Sequence, residues 1–331
     1  MLATVEMLRS GTTCCCDMYL HMQSAAEAFE ASGMRAVVAQ GLFSFLPDPA
    51  AALQDSVEFC RRWNGAADGR ISTLLAPHAP YTCHAEYLKE IAAAGRSEGI
   101  GLHTHLSESK AEVEQSYAEH GVSPVRFLAD LGIIGEHSLL AAHCVHLNSE
   151  DIRILAEANV AVAHNPQCNM KLGNGIAPVS ELLLAKVPVG VATDGVASNN
   201  NLNLWEEIRL AALLQKGRQG DTTALPAPQA LSLAGEGAAR ALSLDTVIGR
   251  IKTGHRADLI FIDLEHAQFQ PLHDPQAALV YSAYGSEVSG VMVDGVELLR
   301  DGRLTLFDEA EIYAKAGARA NRLFAAAGVQ S

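Results

Sequence analysis

The chain has 331 residues, 49% of them apolar and 19% charged, enough for one large domain with an appendage and a sizeable core. Its 24 Lys and Arg against 38 Asp and Glu give a net charge of −14, which argues against a nucleic-acid or membrane partner, because phosphate surfaces need clustered cations. No apolar run reaches a membrane span, residues 1–30 lack a signal-peptide pattern, and the seven cysteines include no CxxC pair; a cytoplasmic protein without a disulfide framework or thiolate zinc site is expected.

In chain order, Met1–Arg9 reads as the tail of a helix that Gly11 stops. Strand-type runs follow at Thr12–Met18, Arg35–Phe43, Ile71–Pro77, Ile100–Leu106, Ser138–Val145, Val160–Asn165 and Val187–Thr193. Helical periodicity fills the gaps, at Met22–Ala31, Ala50–Trp63, Ala85–Gly95, Lys110–Glu119, Pro124–Leu131, Ser149–Ala158 and Pro178–Ala185. The strands are apolar on both faces, as buried parallel strands are, and the alternation predicts an α/β fold with crossover helices. Seven strand–helix units approach the eight of a (β/α)8 barrel, and the chain opens as if one strand preceded it. An open doubly wound sheet is the alternative, but it wants a Gly-rich phosphate turn, and no GxGxxG is present.

After about residue 245 the texture changes to short strands with Gly and Asp turns: Ala257–Asp263, Val288–Val293, a hairpin-type Asp294–Gly295, and Glu297–Leu299. A last helix is expected over Glu309–Ala326. Residues 1–245 are thus read as an incomplete catalytic barrel, and residues 246–331 as a small β lobe with a C-terminal helix.

Nine of the 13 histidines lie between His78 and His164. His78, His105, His143 and His164 each end a predicted strand, and Asp194 follows the last one. That is the face on which barrel enzymes build their sites, because the βα loops converge there. Imidazoles and a carboxylate from different strands suit a catalytic divalent metal, zinc or iron, with an open position for water. Glu108, three residues past His105, is placed to move a proton, or to cap the helix that follows.

Several stretches together resemble the amidohydrolase superfamily. They are His105–Leu106–Ser107–Glu108, Ala142–His143–Cys144–Val145–His146–Leu147, His164–Asn165–Pro166 and Thr193–Asp194–Gly195. Pro77–Cys83, Asn169–Leu172 with Gly175–Pro178, Ala197–Asn200 and Gly254–Asp258 narrow the resemblance to its 5-methylthioadenosine/S-adenosylhomocysteine deaminase branch, near the guanine deaminases and chlorotriazine hydrolases. The resemblance implies a metal-dependent hydrolase barrel, with His105 and Asp194 as ligands of one divalent ion, zinc or Fe2+. It implies that Asp194 takes a proton from the nucleophilic water, that Glu108 relays a proton to the purine ring, that His143 orients the water, and that His78 lines the substrate pocket. The reaction implied is attack of metal-bound hydroxide on C6 of an adenine nucleoside with loss of ammonia, with guanine deamination or chlorotriazine hydrolysis as the alternative, and the assembly a homo-oligomer.

The family's first barrel strand carries a His-x-His pair that this sequence does not show before Thr12, so the barrel is expected to lack that strand. A truncated copy of a deaminase and a non-catalytic remnant are the two readings of that difference. His103–Thr104–His105 is itself a His-x-His, but His103 is placed a layer deeper and expected in the core rather than as a ligand. Arg35 is expected in a surface salt bridge, with a substrate carboxylate as the alternative. His164 is either a support for the site or a packed strand end, His146 is expected to face away, and Cys14–Cys16 to pack as small apolar residues.

Overall fold

A computed structural model describes residues 1–135 and 137–328 of the chain. The strands of its main sheet are β1 (Cys14–Tyr19), β2 (Arg35–Leu42), β3 (Ile71–Thr73), β4 (Ala76–Pro77), β5 (Leu102–Leu106), β6 (Leu139–His143), β7 (Ala161–His164) and β8 (Val189–Val191). All of their pairings are parallel. The run Ile71–Pro77 forms β3 and β4 with a break at Leu74 and Leu75, and both pieces pair with β2. Leu75 then bridges to Leu102, so the path runs β1–β2–β3/β4–β5–β6–β7–β8. Each predicted strand is present, one of them interrupted. Among the described residues, no pairing joins β1 to β8.

The crossover helices start where their sequences supply a cap. Asp48, Ser109, Ser123 and Asn148 each accept a hydrogen bond from a first-turn N–H, and Asn148 with Asp151 closes a reciprocal capping box. Their apolar stripes pack on the outer face of the strands, and Leu8, Val38, Leu75, Leu106, Leu155, Val162 and Leu182 are fully buried there. Each such side chain contributes roughly 1.5–3 kcal/mol by leaving water. Gly190 in β8 is needed for one close approach, since a Cβ there would lie 2.8 Å from the Cα of Ala238 in the helix Glu236–Ala241.

The lobe is an antiparallel sheet of β9 (Leu259–Ile262), β10 (Val288–Val293), β11 (Val296–Arg300) and β12 (Arg303–Leu304). Asp294 and Gly295 make the β10–β11 hairpin with φ of 51° and 80°, the left-handed pair that a two-residue turn requires. The final helix spans Glu309–Ala327, and Glu309 pairs with Arg9 of the helix Leu2–Arg9. Arg35 departs from expectation. Its guanidinium grips Asp258 through two hydrogen bonds of 2.7 and 2.9 Å, and the two side chains are only 4% and 2% exposed. The start of β2 is covered by the lobe, so the pair is buried and far from any surface role. None of the described helices is long and apolar enough to cross a membrane.

Candidate active site

The parallel register brings the carboxyl ends of β5 and β6 level: Leu106 is opposite His143, and His105 opposite Ala142. At these ends the chain turns sharply. Ser107, His143, Cys144 and Asp194 all hold positive φ, between 47° and 71°. Non-glycine residues in this region cost of order 1–3 kcal/mol each, and such strain concentrates where side chains are held for chemistry.

His105 has its tautomer set by the backbone. Its Nδ1 lies 2.7 Å from the carbonyl oxygen of His78, which can only accept, so Nδ1 carries the proton and Nε2 presents a lone pair. Burial, and then the neighbouring His143, push the His105 imidazolium below its ordinary range, so the neutral form is favoured. His143 is 1% exposed, and its Nδ1 lies 2.9 Å from the amide oxygen of Asn169, so that it donates there and leaves Nε2 free. That Nε2 lies 3.7 Å from Oε2 of Glu108 and 4.0 Å from Oδ2 of Asp194. The His105 and His143 rings stack with centroids 5.5 Å apart.

Glu108 is not the helix cap. Ser109 caps the helix Lys110–His120, and the buried Glu112 carboxylate takes the N–H groups of Ser107 and Glu108 at 2.7 Å each. The Glu108 side chain is left free to point inward, where Oε1 accepts from the Asn174 amide at 2.9 Å. Asn174 is steadied in turn, because its carbonyl accepts from His146 Nε2 at 2.7 Å. His146 therefore stands one residue behind the Glu108 carboxylate.

Asp194 accepts from its neighbour Gly195 N at 2.6 Å and from the Cys168 thiol at 2.8 Å. Burial alone would raise its carboxyl pKa, but the Cys168 thiol and the Gly195 N–H outweigh that and hold it below the usual carboxylate range. Cys168 responds oppositely: burial, then the Asp194 contact, push its thiol well up. The ligand atoms of His143, Cys168 and Asp194 lie within 4.8 Å of one another. Cys168 is the member of this group that sequence reasoning missed. Its only signal there was position, four residues past the strand-end His164.

His78 follows β4, with its ring 4.6 Å from those of both His105 and Phe43, and its Nδ1 is hydrogen-bonded with the Thr82 hydroxyl at 2.9 Å. Burial, then His105, lower its pKa to about 4. His103 is 7% exposed and faces Cys16 of β1, 3.7 Å from Nδ1 to Sγ, a layer below His105. His164 is 1% exposed, and neither ring nitrogen finds a partner among the described residues. The structure thus brings Glu108, His143 and Asp194 around one point, with His105 stacked beside them and His78 behind His105. Such a group can strip a proton from water, hold the oxygen and return protons elsewhere.

Residues 1–298 match the model of the amidohydrolase family. The chain belongs to that family. Over 98% of its length this amidohydrolase is 49% identical to a 5-methylthioadenosine/S-adenosylhomocysteine deaminase of Desulforudis audaxviator, of which it covers 75%. A 5'-deoxyadenosine deaminase of Methanosarcina acetivorans is 44% identical over 99% of the chain, which covers 76% of that relative. Among solved structures, a zinc-bound adenosine deaminase from Xanthomonas campestris superposes with a TM-score of 0.91 at 34% identity, covering 97% of this chain and 73% of that one.

The donors present fit a divalent ion of that kind. His105 and His143 each expose an unprotonated Nε2 because their Nδ1–H groups are committed, to a carbonyl and to an amide oxygen, which is how metal-binding imidazoles are oriented. Asp194 adds an anionic oxygen, and the Cys168 thiol, protonated and donating to it, steadies that carboxylate rather than serving as a ligand.

Proposed function

We propose that this amidohydrolase is a hydrolytic deaminase of adenine nucleosides of the S-adenosylhomocysteine and methylthioadenosine type. One observation carries the reading: the single free nitrogen of His143 lies between the Glu108 and Asp194 carboxylates, at 3.7 and 4.0 Å. The names of the relatives point the same way.

In this reading His105 and Asp194 hold a divalent ion, zinc by likeness to the solved adenosine deaminase. When bound, the ion supplies Lewis acidity, making a water molecule acidic enough to lose a proton near neutral pH. His143 Nε2 holds the attacking oxygen in line with C6 of the purine. One water proton passes through Glu108 to ring N1 as the new C–O bond forms. Asp194 takes the remaining hydroxyl proton and delivers it to the exocyclic amine. The C6–N bond then breaks, ammonia leaves, and a C6 carbonyl remains. Asn169 keeps His143 in the required tautomer, Asn174 keeps Glu108 aimed inward, and His78 lines the purine side of the site.

The test is a substrate panel: zinc-loaded protein with S-adenosylhomocysteine, methylthioadenosine, 5'-deoxyadenosine, guanine and a chlorotriazine, products read by mass spectrometry. The expected result is ammonia and inosyl products from the adenine nucleosides. Turnover of guanine or the triazine alone would overturn the reading.

A further inference from the structure

We propose that Glu207 is the positioning residue of this site, a buried clasp that holds the loop after β7 against the loop after β8. Glu207 lies in the first turn of the helix Leu204–Gln219, on neither loop, and is 0% exposed. Its two oxygens face one loop each. Oε2 accepts from the backbone N–H of Gln167, in the first turn of the helix Pro166–Lys171, at 3.0 Å. Oε1 accepts from the side-chain amide of Asn199, in the turn that follows Asp194, at 2.8 Å. The Gln167 N–H is one of the helix-start donors that no helical carbonyl serves, so the carboxylate fills a real vacancy.

Two further ties cross the same gap. Gln167 Nε2 donates to the Asn199 carbonyl at 3.3 Å, and Lys171 Nζ reaches Asn200 and the Ala197 carbonyl. Cys168 and Asn169 sit between Gln167 and Lys171 on the clasped helix. One is in contact with Asp194, the other with His143. The Asn169–Leu172 and Ala197–Asn200 stretches, which marked the sequence but have no direct part in the chemistry, are accounted for as the two jaws of this clasp.

Stability alone does not favour such a group. No cation pairs with Glu207 among the described residues, and burial, only partly offset by its two N–H partners, pushes its carboxyl up to about 8. An apolar side chain would fill the space without a desolvation penalty, but would leave the Gln167 N–H and the Asn199 amide unbonded in the interior. What its two acceptor oxygens provide is a fixed distance between the loops after β7 and β8.

The clasp stands on geometry alone; only its effect on rate rests on the deaminase reading. Glu207→Gln keeps the shape but turns an amide N–H toward one of the two donors, opening half of the clasp. Hydrogen exchange and iodoacetamide labelling are compared in the whole chain. Exchange at residues 165–172 and 194–201, and alkylation of Cys168, should each rise about tenfold or more, while the β5 and β6 amides stay unchanged. The kcat for adenine-nucleoside deamination should fall about 10- to 100-fold with KM held within a few fold. Lys171→Met, at an exposed position, should shift the same two segments in the same direction by less, and it decides the matter if Glu207→Gln does not fold. Wild-type exchange and labelling in both variants, or faster exchange spread evenly over all strands, would overturn the proposal. A wild-type protein that deaminates no adenine nucleoside would sink the functional reading, with the exchange and labelling results still deciding the clasp.

Discussion

Glu108 and Asp194 are each proposed to carry one proton of the attacking water, which makes their isosteric substitutions informative. Asp194→Asn and Glu108→Gln should each lower deamination by about 100-fold or more while circular dichroism and urea midpoints stay near wild type. Wild-type turnover in Glu108→Gln would remove it from the path. Asn169→Ala tests the tautomer argument: without the amide oxygen, either ring nitrogen of His143 can carry the proton. A fall in kcat of about 10- to 100-fold is expected, with the 15N chemical shifts of His143 moving toward the Nε2–H form. The strand-end residues His78, His105, His143 and Asp194 were legible because a strand that terminates in a polar residue on an otherwise apolar face is a strong pattern. Cys168, Asn169, Asn174 and Glu207 were not. Each is an ordinary loop or helix residue in sequence, and gains its role only when a separate loop packs against it.

The strand–helix alternation could be followed from Thr12 to Thr193 because buried parallel strands and amphipathic helices have different periods. The helix Leu204–Gln219 escaped that reasoning, since Trp205, Glu207, Ile208, Ala211 and Gln215 are all buried and polar residues interrupt its apolar face. The break in β3/β4 was equally invisible, because Leu74 and Leu75 look like continuing strand. Arg35 was misplaced for a related reason: the partner that buries it, Asp258, is 223 residues away. That pair carries a prediction about elements. Arg35→Leu alone should destabilise the protein by about 3–5 kcal/mol in urea unfolding, by stranding the Asp258 charge, and the double change Arg35→Leu with Asp258→Leu should recover much of the loss. If the single change proved neutral, the contact would not be fastening β2 to the lobe.

At the scale of the whole molecule, the gathering of histidines that marked the sequence also sets its response to acid. Burial, then neighbouring imidazoles, hold both His103 and His164 near a pKa of about 3. A histidine whose folded value lies below its unfolded one takes up protons on unfolding. Stability is therefore complete above about pH 6.5 and is lost as pH falls toward 3, by about 2 kcal/mol per residue between pH 7 and pH 5. Urea midpoints across that range should fall accordingly, and His164→Gln should flatten the slope; an unchanged slope would mean that burial does not shift His164 between the folded and unfolded chain. The barrel architecture was readable from counting units, and the superposition on the solved adenosine deaminase agrees with it.

Central to the account is that water supplies the oxygen at C6 through Asp194, His143 and Glu108. The most direct measurement is single-turnover deamination of S-adenosylhomocysteine in 18O-labelled water, with the inosyl product and ammonia quantified together. The account predicts one labelled oxygen at C6 and one ammonia per product, both lost in Asp194→Asn. Ammonia release without label in the purine, or labelled product formed at the wild-type rate in Asp194→Asn, would contradict it.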